Sequence, residues 1–523
     1  MSVEYQGQKW RTMDDREHIL TNMDFYMGSP HSETAIIPAQ QKDSSLIVDQ
    51  AVEYSPALAK IIDEVFSNVT DEHIRKGQMT VVAVDYNAND GTITVYNDGS
   101  GIPAVQGEDG CYLVEQLFTK ARTSGNYADV GETVTGRLTT GKFGYGVKGT
   151  VIMSASFTID TATDGVRYTQ TYSDNMAVIG RPSIVISNDK YTSVSFVPDY
   201  GRFGAMNMDA YLWYRTLCTS IALGPSVEVT YCGVRLTIKS IDDLAARYGE
   251  RHCSIALSET FSLCIAEKRN HGDSGHFLMI NGATVPRLGK LDYILNQVTK
   301  GLSAIVEESH SLKLEGARFR PFIRMLLCCT VPDATFRGAA KEELTTPLTN
   351  LRAHCTVPQS FAADLSAATG IVARVLEAEK VSEVKILEKK AAGRKSTIVT
   401  GIAALSDAVE AGGRRSGECR LFLTEGNSAK GFIKGALGVL GGMKFYGILP
   451  LRGKVINAMK DPDMRRTLVN VQMLNIFKTL GLRPGKEYKT HADLGTLRYG
   501  GVIVTADADD DGAVTLTDAV RTL

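Results

Sequence analysis

The stretch Thr135 to Thr150, TGRLTTGKFGYGVKGT, limits what this chain can fold into more than any other. Glycines at 136, 141, 144, 146 and 149 alternate with three cations, Arg137, Lys142 and Lys148. With so few side chains in the way, the backbone of Gly144 to Gly149 can turn its N–H groups toward one point. Running into a helix start, such a loop is an anion-binding nest suited to a polyphosphate. Most glycine-rich turns are only turns, so the reading depends on other stretches converging on the same ligand.

Three neighbouring patterns do so. Leu58, Ile61, Ile62, Val65 and Phe66 recur at helical spacing and make one apolar stripe. Glu64 and Asn68 lie one turn apart at its flank. A carboxylate and an amide oxygen so placed can polarise a water and hold a hard cation, or can form a plain solvated helix edge. Alternating β-branched segments follow at Thr80–Tyr86 and Gly91–Tyr96. The second runs into Asn97-Asp98-Gly99-Ser100-Gly101-Ile102-Pro103. That run is either a strand-ending Asx turn or a carboxylate that accepts from an exocyclic amine, beside glycines that admit a flat base. The order of helix acid, strand, acidic glycine turn and glycine-rich loop is far more specific than any one piece.

Composition sets the limits. At 523 residues the chain has room for roughly three domains. Its 57 Lys plus Arg against 59 Asp plus Glu leave a net charge of −2, so any nucleic-acid contact must come from local patches. No run of about 18 apolar residues suggests a membrane span. The opening MSVEYQGQKW lacks the apolar centre of a signal peptide. Nine scattered cysteines without a CxxC pair suggest reduced thiols in an intracellular protein, and no structural zinc.

Farther along, Val227–Tyr231, Phe277–Ile280 and the apolar run Phe322–Cys329 read as strands. After them comes a loop from Asp333 to Lys341 and Glu342. Ser360 to Lys395 reads as one long helix with a mixed-charge face, ending in a basic hinge, Lys389 to Lys395. Cys419–Thr424 reads as a strand delivering Glu425-Gly426-Asn427-Ser428-Ala429-Lys430. Gly501–Thr505 reads as another, followed by Asp507, Asp509, Asp510 and Asp511. Acids gathered at two strand ends must bind divalent metal or be partly protonated. The aspartate run lacks the glutamate that would close an EF-hand loop.

Taken together, EVFSN, NDGSGIP, TSGNY and GKFGYGVK resemble the ATPase module of type II DNA topoisomerases. That is the Bergerat-type fold shared with MutL-like repair proteins and histidine kinases. EHIL followed by FYMGS, and TSGNYAD before the glycine loop, resemble the eukaryotic and large-virus branch. The implied fold class is α/β (α+β). It comprises a Bergerat-type GHKL ATPase domain with an N-terminal arm (1–240), a ribosomal-S5-like transducer domain with a long coupling helix (241–398), and a Rossmann-like TOPRIM domain, incomplete at its C-terminus (399–523).

The resemblance implies roles. Glu64 is the general base and Asn68 the Mg²⁺ ligand. Asp98 reads the adenine amine, with Gly101 beside it. Ser124 and Asn126 contact ribose or phosphate. Gly144, Tyr145, Gly146 and Lys148 form the phosphate cradle of ATP. Tyr5 reaches the partner subunit's nucleotide site, and Lys341 reaches the γ-phosphate. In the last segment Glu425, Asp507 and Asp509, with Asp511 as a further candidate, hold one or two Mg²⁺ ions. Arg452 and Lys454, in PLRGK, bind DNA phosphates. Phe143, Gly125 and Ala339 depart from the family pattern by removing polar nucleotide contacts.

Expected partners are double-stranded DNA and a second copy of the chain, with no membrane. Expected placement is intracellular, at the nucleus or a viral replication site. The family's winged-helix domain with its nucleophilic tyrosine does not follow Asp511, which implies either a shortened chain or an enzyme naturally divided between two polypeptides. Against the leading reading, the ATPase and TOPRIM portion of a type II topoisomerase, stand an ATP-driven DNA clamp and a regulatory subunit that has lost ATP use. The paired acids at Glu425 and Asp507 argue against the clamp.

Overall fold

Helix Pro56–Lys76 forms where the apolar stripe places it. Pro56 suits the first helical turn, and Gly77 ends the helix in the left-handed conformation at φ 61°. Leu58, Ile61, Ile62, Val65 and Phe66 are all buried. The computed structural model describes residues 2–5, 8–41, 44–125, 136–139, 141, 144–269, 275–338, 341–379, 399, 402–439, 442–451, 471–483 and 486–505, with the side chains of 2–9, 425, 427 and 428 left aside.

These residues divide into two units, 1–375 and 376–523. In the first, a nine-stranded sheet runs in the order Ser183–Ile186, Val166–Ser173, Ser154–Thr163, Tyr191–Pro198, Thr92–Asn97, Val81–Asn87, Glu228–Tyr231, Val234–Arg235, with Val178–Ile179 paired to Val166–Ser173. Neighbours are antiparallel except Glu228–Tyr231, which runs parallel to Val81–Asn87. Helices Pro56–Lys76, Gly146–Ile152 and Met208–Leu223 pack against this sheet, and the first packs against each of the other two. Their apolar faces share one core with Val82, Val84, Ile93, Val95 and Ile159. The opening segment, expected as an extended arm, is a hairpin of Ser2–Tyr5 with Gln8–Arg11. It is followed by helix Asp15–Thr21, which Asp14 caps by accepting from the Glu17 N–H at 2.7 Å.

The same unit carries a five-stranded sheet: His252–Ser258, Phe261–Glu267, Ile323–Cys329, Phe277–Ile280, Ala283–Thr284. Helices Asp292–His310 and Gln359–Ala368 pack together beside it. Buried Arg324 joins the two halves of the unit. It pairs with Glu250 at 3.0 Å and with Asp49 at 2.9 Å, and it lies 4.2 Å over the Tyr248 ring.

The long helix expected over 360–395 is interrupted. Helix Gln359–Ala368 ends at Thr369, whose backbone is extended, and residues 371–379 are helical again. The Thr369 hydroxyl turns back to the Leu365 carbonyl at 2.7 Å, and Glu267 takes the Gly370 N–H at 2.8 Å. A tertiary carboxylate thus replaces an intrahelical acceptor at the glycine, where helix propensity is weakest.

The second unit holds three parallel strands in the order Tyr446–Leu451, Arg420–Glu425, Gly501–Thr505. Helix Gly426–Val439 starts directly at the end of the middle strand and packs on it and on Tyr446–Leu451. The register pairs Thr424 with Thr505, so two strand ends lie side by side. Among the described residues, no helix is long and apolar enough to cross a membrane.

Candidate active site

A cavity of about 670 Å³ opens in the first unit. Glu64 and Asn68 line it from the long helix, Gly101 from the turn after Thr92–Asn97, and Ser124 and Gly125 from the segment before the glycine loop. Gly144, Tyr145, Gly146 and Lys148 line it from that loop, and Lys341 from the second half of the unit. Five separated stretches of sequence therefore meet around one space.

The close approaches explain the glycines. At Gly146 a Cβ would overlap the Glu64 carboxylate, so the loop can cross the acid only without a side chain. At Gly101, φ is 72° and a Cβ would run into the Ala162 carbonyl. One turn along the short helix, Gly149 meets the Met27 methyl, seating the glycine loop on the FYMGS segment. The Tyr26 ring lies 5.6 Å from that of Tyr145.

Asp98 differs from expectation, for a reason of strand parity. In Thr92–Asn97 the buried positions alternate, and Ile93, Val95 and Asn97 share the buried face. Asn97 therefore faces the cavity. Asp98, next in line, turns to the neighbouring strand. Its carboxylate accepts the Thr80 and Val81 N–H groups, each at 2.8 Å, and the Thr80 hydroxyl. Asp98 is not among the residues lining the cavity. Partial burial pushes its carboxyl up, but these hydrogen bonds outweigh burial and hold it below the usual range.

The electrostatics are organised by three charges. Burial pushes the Glu64 carboxyl up, but Lys60, which pairs with it one turn back, and Lys341 overcome burial and keep it ionised below the usual range. Burial brings the Lys148 ammonium down to about 8, and its Nζ donates to the Thr123 carbonyl at 2.7 Å. Burial and the charge of Lys60 likewise lower Lys341, against the attraction of Glu64, Asp71 and Asp63. Asp71 also accepts the Gly141 N–H at 3.1 Å, tying the glycine loop to the long helix.

Several expected residues fall elsewhere. Asn126, Lys142, Phe143, Ala339, Arg452, Lys454, Asp507, Asp509 and Asp511 lie outside the described residues. Tyr5 and Glu425 are placed by their backbones alone, in strands Ser2–Tyr5 and Arg420–Glu425. Sequence reasoning missed Lys60, Asn97, Asp71 and Arg75 as cavity residues. Lys60, Asp71 and Arg75 carry the helical spacing of Glu64 and Asn68 around the same helix, and that signal was available.

No family model matches the chain. DNA topoisomerase 2 top-2 of Caenorhabditis elegans is 31% identical to it over 520 residues, 95% of this chain and 34% of that protein. DNA topoisomerase 2 of Pisum sativum is 32% identical over 519 residues, again 95% of this chain and 34% of that protein. The chain thus spans about a third of the length of the curated relatives it matches. Among solved structures, the ATPase and transducer domains of DNA topoisomerase II from Balamuthia mandrillaris superpose with a TM-score of 0.64 and 26% identity, covering 72% of this chain and 98% of that one. Over 95% of its length the chain is therefore similar in sequence to type II DNA topoisomerases, and its fold includes that of their ATPase and transducer domains.

Proposed function

We propose that this chain is the ATP-hydrolysing part of a type II DNA topoisomerase, which passes one duplex through a transient break in another. The observation that carries this reading is the meeting of Glu64, Asn68, Lys148 and Lys341 around one cavity. The lining fits a nucleotide with its ion. Unblocked backbone at Gly144 and Gly146, with buried Lys148 and half-buried Lys341, suits a polyphosphate. The Asn68 amide oxygen suits Mg²⁺, which prefers oxygen donors and keeps several waters. Bound there, Mg²⁺ would neutralise charge building on the phosphate oxygens.

Glu64 acts as the general base and orients the attacking water. The Lys60 and Lys341 ammonium groups depress its basicity. When Lys341 turns to the terminal phosphate, one of those charges is spent on the ligand. The Glu64 carboxylate then becomes a stronger base at the moment it is needed. Asn97, with its amide on the cavity wall, replaces Asp98 as the reader of the adenine edge.

The remaining roles belong to the same proposal. Nucleotide binding closes a two-fold dimer of the first unit. Glu425, Asp507 and Asp509, with Asp511 as a further candidate, hold Mg²⁺. Arg452 and Lys454 hold DNA phosphates. The domain limits remain 1–240, 241–398 and 399–523.

The test is ATP turnover, with and without duplex DNA, in the wild type and in Glu64→Ala. We expect DNA-stimulated hydrolysis that falls by roughly 10²–10⁴ in the variant while nucleotide binding persists. Unchanged hydrolysis in Glu64→Ala would end the assignment of the base. Nucleotide binding without any hydrolysis in the wild type would favour the regulatory-subunit reading.

A further inference from the structure

The cavity wall carries a cation that the proposed chemistry leaves unused. Arg137 lines the cavity, and its Nε is buried without a hydrogen-bond partner. A buried guanidinium N–H left without an acceptor is costly, and Arg137 would recover that cost by turning toward an anion in the cavity it lines. Asp333 holds the backbone at this point from both sides. One carboxylate oxygen accepts the Gly136 N–H at 2.7 Å and the other the Arg137 N–H at 3.1 Å. The Asp333 N–H donates in return to the Arg137 carbonyl at 2.8 Å. Asp333 adopts φ 51°, unfavourable for a side chain other than glycine, and these three bonds offset that strain. Ala334, Thr335, Phe336 and Gly338, which follow Asp333 in sequence, line the same cavity as Lys341.

We propose that Arg137 contacts the terminal phosphate of the bound nucleotide, and that Asp333 positions it by locking the glycine-rich segment to the loop carrying Lys341. The proposal rests on the reading of the cavity as an ATP site. Two cations from separate segments then reach the same phosphate, and the Asp333 clasp makes their placement interdependent. A planar guanidinium on a fixed backbone gives directional contacts that a lysine alone cannot supply.

Calorimetry of the full chain with the β,γ-imido analogue of ATP and with ADP tests this. The proteins are the wild type, Arg137→Ala, Arg137→Lys, Asp333→Asn and the Arg137→Ala/Asp333→Asn pair. Failure of the wild type to bind either nucleotide removes the cavity reading and this proposal together. With wild-type binding intact, Arg137→Ala is expected to lose roughly ten- to a hundredfold toward the triphosphate analogue and under about threefold toward ADP. Arg137→Lys recovers part of that selectivity. Asp333→Asn loses part of it, and adds nothing once Arg137 is alanine. Equal losses for both nucleotides, no loss for either, or additive losses in the paired variant overturn the proposal. Thermal melts accompany each variant. If Asp333→Asn fails to fold, the Arg137 variants on their own decide the phosphate contact.

Discussion

The α-carbon of Gly146 faces the Glu64 carboxylate so closely that a methyl group there would coincide with its oxygen. Gly146 has no left-handed φ, so space and not backbone conformation demands the glycine. It opens helix Gly146–Ile152, where alanine would ordinarily add stability. Gly146→Ala is therefore expected to reverse that sign and cost about 1–3 kcal/mol by overpacking, with hydrolysis lost. Adding Glu64→Ala removes the obstructing carboxylate and should bring the melting temperature back. A Gly146→Ala protein as stable as the wild type would contradict the close packing of loop and acid.

Lys148 links binding to pH. Burial lowers its ammonium to about 8. Between that value and lysine's ordinary one, the unfolded chain binds more protons than the folded chain. The group's contribution to stability therefore rises with pH across that window. Nucleotide affinity moves the other way. A phosphate favours the charged form, so above about pH 8 binding must take up a proton and affinity falls by up to about tenfold per pH unit. Lys341, lowered by burial and by Lys60, acts in the same direction. Calorimetry in buffers of different ionisation enthalpy reads the proton directly. Lys148→Arg should flatten the profile, because arginine stays charged. Affinity constant with pH in the wild type would show that Lys148 does not meet the phosphates.

What the sequence revealed and what it hid have separate physical causes. The stripe from Leu58 to Phe66 announced its helix, because burial of one face at helical spacing is a local pattern. Glu64, Asn68, Gly144, Gly146 and Lys148 were legible through motif order, and the structure gathers them at one cavity. Asn97 was not. Choosing it over Asp98 required the strand's end and parity to within one residue, and strand ends are set by pairing across the sheet. The break at Thr369 and Gly370 was hidden for a similar reason, since Glu267 lies about a hundred residues away in sequence and no local periodicity encodes it. The Asp333 clasp on Arg137 joins two loops of unrelated sequence, so only the fold could reveal it.

The two neighbours at the strand end should separate recognition from stability. Asn97 is buried on the cavity wall, with its Oδ1 accepting the Gly99 N–H at 3.1 Å. Asn97→Ala should weaken adenine nucleotides and narrow the preference for adenine over guanine, by roughly tenfold for one lost directional contact. Asp98→Ala leaves two backbone N–H groups of the next strand unpaired. It should cost about 2 kcal/mol of stability and leave base preference alone. Competition binding with ATP and GTP analogues, alongside urea unfolding, distinguishes them. Loss of base preference in Asp98→Ala would return the reading role to the carboxylate.

Arg324 is where the two halves of the first unit share a buried charge. Its guanidinium reaches Asp49, on the strand Ile47–Tyr54, and Glu250, which follows helix Ile241–Arg247. All three side chains are at most 10% exposed. A buried ion pair adds little compared with a well-packed apolar replacement, but breaking one from a single side leaves an uncompensated charge. Arg324→Met is therefore expected to destabilise the unit by about 3–5 kcal/mol, because Glu250 and Asp49 stay buried without their cation. Adding Glu250→Gln to that variant removes one stranded charge and should recover part of the loss, while Glu250→Gln alone should be destabilising. Urea midpoints for the two singles and the pair measure the coupling directly. If the pair is less stable than the wild type by the sum of the two single effects, Arg324 and Glu250 act independently and the triad is not the joint. Recovery in the pair instead shows that Arg324 and Glu250 are energetically coupled across the seam between the two halves of the unit.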